Sequence, residues 1–164
     1  MELSHFNTMS AGEAEEALRP CLDVPRWTAE VAAARPYASV QDAVEMGKRA
    51  GATLDAQEVA QALAHHPRIG ERAGGGSTEA TLSRQEQKGL GELDGGVQAR
   101  LAQGNRQYEE VFDQVFLIRA AGRTPEEILA ELERRMQNTP ETEAAEVAQQ
   151  LNEIAALRLE GLFS

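Results

Sequence analysis

Cysteine is nearly missing from this chain. Cys21 is the only one in 164 residues, so neither a disulfide framework nor a cysteine-rich zinc site can form. Long hydrophobic runs are also missing. No stretch approaches the 18 apolar residues of a transmembrane helix, and the N-terminus lacks the apolar core of a signal peptide. Positive charge is scarce, with 16 Lys and Arg against 27 Asp and Glu and a net charge of −11. That balance argues against nucleic acid, which needs clustered cations to neutralise phosphates. It suits acidic residues spread over solvated helix faces. The closing "GLFS" is not a peroxisomal address of the Ser-Lys-Leu kind. A cytoplasmic protein without membrane or nucleic-acid partners is expected. Aromatic residues make up 4%, and β-branched residues are few, so sheet formers are short in supply.

What remains is rich in Ala, Glu, Gln and Leu, with 41% hydrophobic residues. These are helix formers, and the expectation is all-α: a single-domain helical bundle of about seven to nine helices spanning 1–164. A chain of this length buries about two-thirds of its unfolded surface.

Helix boundaries are marked locally. Ser10 with Glu13 reads as a capping box, and Arg19-Pro20 ends that helix. A helix over about 27–35 is closed by Pro36. Ser39 with Asp42 opens another, stopped by Gly51. Asp55 with Glu58 opens a fourth, expected to end near His66 because Pro67 disfavours α geometry before it. "RIGERAGGGST" reads as a connecting loop or lid with Gly70 and Gly74 to Gly76. Its glycines lack the strand and the Lys of a phosphate-binding loop. Ser83 with Glu86 reads as a capping box opening a helix toward Leu90. A long helix spans about 97–115, and "VFLIRAAGR" is either its last turn or an extended segment. Thr124-Pro125 and Thr139-Pro140 start the last two helices. His5 falls in an N-terminus expected to be mobile.

Three residues break the pattern of apolar stripes. Val147, Leu151, Ile154 and Leu162 fall within an arc of about 80° on the last helix, and Arg158 lies inside that arc. A guanidinium there requires an anionic or polar partner. It is either an internally paired or snorkelling arginine, or a pocket arginine for a carboxylate or planar ureide. Val59, Ala62 and Leu63 define the fourth helix's stripe. Helical phase extends that stripe to His66 and turns His65 about 100° away. His66 is either a satisfied core histidine or a proton-transfer group lining a cleft. The paired histidines diverge, and the spacing of a metal site is absent, so no metal is expected. Glu86 is explained by capping, or orients a substrate hydroxyl, or both.

Taken together, "HPRIGE" (66–71), "SRQEQ" (83–87), "NRQYEEVFDQVFLIRAAGRTPEEILAELERRMQN" (105–138) and "EIAALRL" (153–159) resemble the family of 2-oxo-4-hydroxy-4-carboxy-5-ureidoimidazoline (OHCU) decarboxylases. These enzymes complete the conversion of urate to (S)-allantoin, and the similarity covers nearly the whole chain. The resemblance implies an all-helical, cofactor-free and homodimeric enzyme acting on a small ureidoimidazoline. It places the catalytic residues at His66, Glu86 and Arg158. Substrate contacts fall at Pro67, Ser83, Arg84, Gln85, Glu86 and Gln87, and at Phe116, Leu117, Ile118, Arg119 and Ala120. Arg68 stands where many members carry an acidic residue. Two other classes are weighed against it: a non-enzymatic helical module of a ureide-pathway complex, and a hydrolase acting on hydroxyisourate.

Overall fold

The computed structural model describes residues 1–70, 76–91 and 95–164. Among them are nine α-helices and no strand, as the composition predicts. The chain divides into two units, Met1–His65 with Ala148–Ser164, and His66–Val147.

The first unit holds α1 (Leu3–Thr8), α2 (Ala11–Leu18), α3 (Pro25–Ala33), α4 (Val40–Gly51), α5 (Ala56–Leu63) and most of α9 (Pro140–Leu162). Local chemistry accounts for most of the starts. Ser10 and Asp55 form complete capping boxes with Glu13 and Glu58, and the Ser39 hydroxyl accepts from the Asp42 amide. Pro25 occupies the first turn of α3, where its missing N–H costs nothing. The N-terminus differs from expectation. It is a short helix whose Phe6 is fully buried, and Asn7 exchanges two 2.9 Å hydrogen bonds with the Tyr37 backbone. His5 therefore sits on an ordered helix. Phe6 carries too little periodic context in six residues for sequence pattern to reveal it.

Trp27 is the largest buried side chain, and its indole N–H donates to the Gly47 carbonyl at 2.9 Å. That contact sets α3 against α4 at close range. A Cβ on Gly47 would lie 2.8 Å from Leu159 Cδ2 and 3.3 Å from Trp27 Cζ2. Cys21 is buried.

The second unit holds α6 (Thr78–Gln87), followed by a 3-10 turn (Lys88–Leu90), then α7 (Gly95–Phe112), α8 (Pro125–Arg135) and the first turns of α9. Thr124 caps α8 by accepting from the Glu127 amide, and Thr139 accepts from the Thr142 amide at the start of α9. Ile69, Leu101, Tyr108, Phe116, Ile118, Ile128, Leu129 and Leu132 pack into one core. Gly104 brings α7 onto Leu132 of α8, whose Cδ2 would meet a Cβ at 2.8 Å. The stretch 115–120 is neither helix nor strand. It follows Asp113, whose φ of 53° ends α7 in the left-handed region.

One helix start is corrected. The capping box read at Ser83 and Glu86 does not form. Ser77 caps α6 by accepting from the Ala80 amide, so Ser83 lies in mid-helix and Glu86 in the last turn. Residues 78–82 are all compatible with helix, and extending the helix through them adds hydrogen bonds that a later start would forgo. The glycine loop lies largely outside the described residues, as Gly74 and Gly75 do; Gly76 is in a bend. Among the described residues, no helix is long and apolar enough to cross a membrane.

Gly47→Ala is expected to lower the urea midpoint of unfolding, because neither Trp27 nor Leu159, both fully buried, can yield. Overpacking costs about 1–3 kcal/mol, against a gain in helix propensity of about 1 kcal/mol. A midpoint at or above that of the unaltered protein would show that α3 and α4 separate freely.

Candidate active site

Helix α5 stops at Leu63, three residues short of His66, where the run into Pro67 is expected to end it. Ala64 and His65 form a turn in which the His65 amide donates to the Ala62 carbonyl at 3.2 Å. His66 therefore lies beyond the helix, and helical phase does not govern its direction. The two histidines differ all the same. His65 is exposed, with Nε2 3.0 Å from the Asp23 carboxylate, which also accepts from Arg19 at 3.2 Å. His66 is half-buried. The turn ahead of Pro67, rather than a helical stripe, separates them.

The residues after His66 are tied down from α6 and α7. Asn105 donates to the Ile69 carbonyl at 3.0 Å inside the core. One turn along α7, Glu109 receives both Nε and Nη2 of Arg68, at 2.5 and 3.2 Å. This is the planar, two-bond pairing that arginine makes with carboxylates. Arg68 thus has an acidic partner at hand. From α6, the Gln87 side chain accepts from the Gly70 amide at 3.0 Å. Gly70 has a φ of 87°, which suits glycine alone among common residues.

Within 83–87 the side chains divide by helical spacing. Ser83, Glu86 and Gln87 stand at i, i+3 and i+4, and are buried, half-buried and half-buried. Pro67 and Arg84 are half-buried, and Arg84 donates to the Thr81 hydroxyl at 3.1 Å. Gln85 is exposed, on the face away from Ser83.

In the third stretch Phe116, Leu117, Ile118 and Ala120 are buried and Arg119 is half-buried. Its carbonyls accept from arginines: Leu117 from Arg135 Nη1 at 2.8 Å, Arg119 from Arg123 Nε at 3.0 Å. Arg119 itself donates to the Ala121 carbonyl at 2.5 Å. The backbone path of this stretch is thus held by side chains instead of by a ladder.

The second unit therefore gathers three of the stretches marked in the sequence. Residues 66–70, 83–87 and 116–120 are linked by the Gly70–Gln87 bond and by the core that Ile69, Phe116, Ile118 and Ala120 share. Arg158 belongs to the first unit. It is 7% exposed on the buried stripe of Leu151 and Ile154, and its Nη1 donates to the Pro20 carbonyl at 3.0 Å. The periodicity of α9 places it correctly, and its guanidinium does not snorkel out.

Sequence reasoning missed Asn105, Arg135 and Glu143, three buried polar residues. The signal that found Arg158 was also present for Arg135. It continues the stripe of Ile128 and Leu132 on α8, seven and three residues back. Among the described residues, no group of three or more His, Cys, Asp or Glu is arranged to hold a metal ion.

A family model described as OHCU decarboxylase matches residues 7–160. The chain is 29% identical to the uric acid degradation bifunctional protein of Bacillus sp. (strain TB-90), with 99% of the chain aligned but only 32% of that protein. It thus spans about a third of that relative. It is 30% identical to the 2-oxo-4-hydroxy-4-carboxy-5-ureidoimidazoline decarboxylase of Amia calva, over 99% of the chain and 95% of that protein. A crystal structure of an OHCU decarboxylase in the presence of (S)-allantoin superposes with a TM-score of 0.76 at 24% identity, covering 91% of this chain and 97% of the other. That likeness speaks for the fold. With the family model spanning almost every helix and a relative matched along nearly its whole length, the chain belongs to the OHCU decarboxylase family.

Proposed function

We propose that the chain decarboxylates 2-oxo-4-hydroxy-4-carboxy-5-ureidoimidazoline to (S)-allantoin, with His66, Glu86 and Arg158 as its acting groups. It is a carboxy-lyase of urate degradation. The observation that carries this reading is the family match over 7–160, which contains all three residues and crosses both units. On this reading 1–164 serves as one decarboxylase domain and works as a cytoplasmic homodimer.

The substrate's tetrahedral carbon bears a carboxylate and a hydroxyl, and the neighbouring imine carbon bears the ureido group. When the bond to the carboxylate breaks, CO2 leaves and the electron pair forms a carbon–carbon double bond, while the C=N electrons move to nitrogen, which takes a proton. The resulting enol becomes the ketone as its hydroxyl proton is lost and the ureido-bearing carbon is protonated on one face. The imine is therefore an electron sink within the substrate, and the bond can break without a cofactor to accept the charge.

His66 supplies and removes protons in this sequence, the general acid–base work for which an imidazole is suited. Its half-buried position, with the residues after it tied to α6 and α7, supports a fixed presentation of the ring. Glu86 accepts the substrate hydroxyl's hydrogen bond and holds the carboxylate out of the ring plane, where its bond overlaps the C=N system. Arg158 binds anionic or ureide oxygens through its fork of donors. The backbone of 116–120 and the side chains of Ser83 and Gln87 face the planar ring.

The assay generates the unstable substrate from urate with the upstream enzymes, then follows its ultraviolet decay and the optical activity of the product. Faster decay with (S)-allantoin formed supports the proposal; unchanged decay to racemate overturns it. His66→Ala should lower turnover by about 10²-fold or more, and Arg158→Ala should lower it sharply, both with helicity by circular dichroism retained. Glu86→Gln should fall between them and the unaltered chain. His65→Ala should stay within about twofold, since it removes an exposed side chain whose contact is with Asp23. An inactive His65→Ala beside an active His66→Ala would reverse the assignment.

A further inference from the structure

Arg135 and Glu143 form an ion pair with both side chains 1% exposed. Such a pair is poor value as a stabiliser, because desolvating both charges offsets most of their attraction, and apolar replacements of similar volume are often no less stable. Its geometry suggests another use. Glu143 receives Nε and Nη2 of Arg135 at 2.9 and 2.5 Å, the Tyr108 hydroxyl at 2.6 Å and the Asn138 amide at 3.0 Å. Those bonds lock the guanidinium's orientation and leave Nη1 aimed at the Leu117 carbonyl, 2.8 Å away. The same guanidinium lies over the Phe116 ring, 4.5 Å from its centroid. Tyr108 closes on that ring from another side, with centroids 5.1 Å apart. Arg135 therefore grips two consecutive residues, one by its ring and one by its backbone.

A trans peptide is planar, with its C=O and N–H on opposite sides. Drawing the Leu117 carbonyl toward Arg135 turns the Ile118 N–H the other way. We propose that Arg135, locked by Glu143 and Tyr108, is a positioning residue that sets the peptide plane between Leu117 and Ile118, and so aligns the donor that 116–120 offers to the substrate's ring. The proposal rests on the reading that this stretch contacts substrate. Arg135 touches no reacting atom; it acts through the backbone it holds.

Two variants test it. Arg135→Lys keeps the charge but cannot pair with Glu143, cover Phe116 and reach Leu117 together. Arg135→Met combined with Glu143→Leu removes both charges and keeps the volume. Val31→Ala is a control that loosens a fully buried site belonging to the first unit. In the decay assay the double variant should raise KM about tenfold with kcat changed less, since a misplaced binding group weakens ground and transition states alike. Its helicity by circular dichroism should be retained, with a melting temperature lowered no more than Val31→Ala lowers it, since the partners of the pair lose hydrogen bonds. Arg135→Lys should show a smaller rise in KM, and (S)-allantoin titrated by calorimetry should weaken in the same order. The inference is overturned if both variants keep the unaltered KM, or if they lose activity only in proportion to unfolding, as Val31→Ala does. No acceleration by the unaltered chain would overturn the proposed function itself, and this inference with it.

Discussion

A carboxylate buried to 1% exposure must have its oxygens satisfied by protein, and at Glu143 that requirement organises most of the second unit. Its partners come from three places: Tyr108 on α7, Arg135 at the end of α8, and Asn138 in the turn between α8 and α9. Three elements that could pack by apolar contact alone in several registers are thereby tied to one. Burial, and then the hydrogen bond to Glu143, hold the Tyr108 phenol well above its usual pKa, so it remains a donor throughout the neutral range. The stretch 116–120, which has no secondary structure of its own, is positioned by the same cluster through Leu117 and Phe116. Removing either charge alone would strand the other in the core, which is why the pair is expected to behave as a unit.

A second constraint recurs in the second unit: the residues there that are assigned to chemistry lie where helices end. His66 follows the turn that closes α5, Glu86 and Gln87 occupy the last turn of α6, and 116–120 follows the left-handed break at Asp113. Backbone groups at such places lack helical partners and must be met by side chains. Asn105, Gln87, Arg123 and Arg135 meet four of them. The polar groups that order the irregular segments are thus also what presents the residues assigned to the substrate.

Legibility followed the range of the interaction. Capping boxes at Ser10 and Asp55, the cap at Ser39 and the Thr-Pro starts were all readable, because each is complete within four residues. Arg158 was readable as a buried cation because α9 is 23 residues long and keeps one phase throughout. Three features were not. Phe6 anchors a six-residue helix too short to show a period. Ser83 with Glu86 has the letters of a capping box, but the preceding residues were free to be helical and Ser77 capped them first. His66 is half-buried and off the helical stripe read for it, since the helix that was to carry it had already ended at Leu63.

By itself, the sequence determined the all-α class, most helix starts and the identity of the residues that match the family's motifs, because composition, caps and motif spacing are properties of neighbours along the chain. The tertiary structure alone decided which carbonyl Arg135 holds, which backbone amide Gln87 meets, and how 116–120 runs. Those outcomes depend on partners 8 to 36 residues apart. Such partners meet only after the helices have packed, and no local pattern records that meeting.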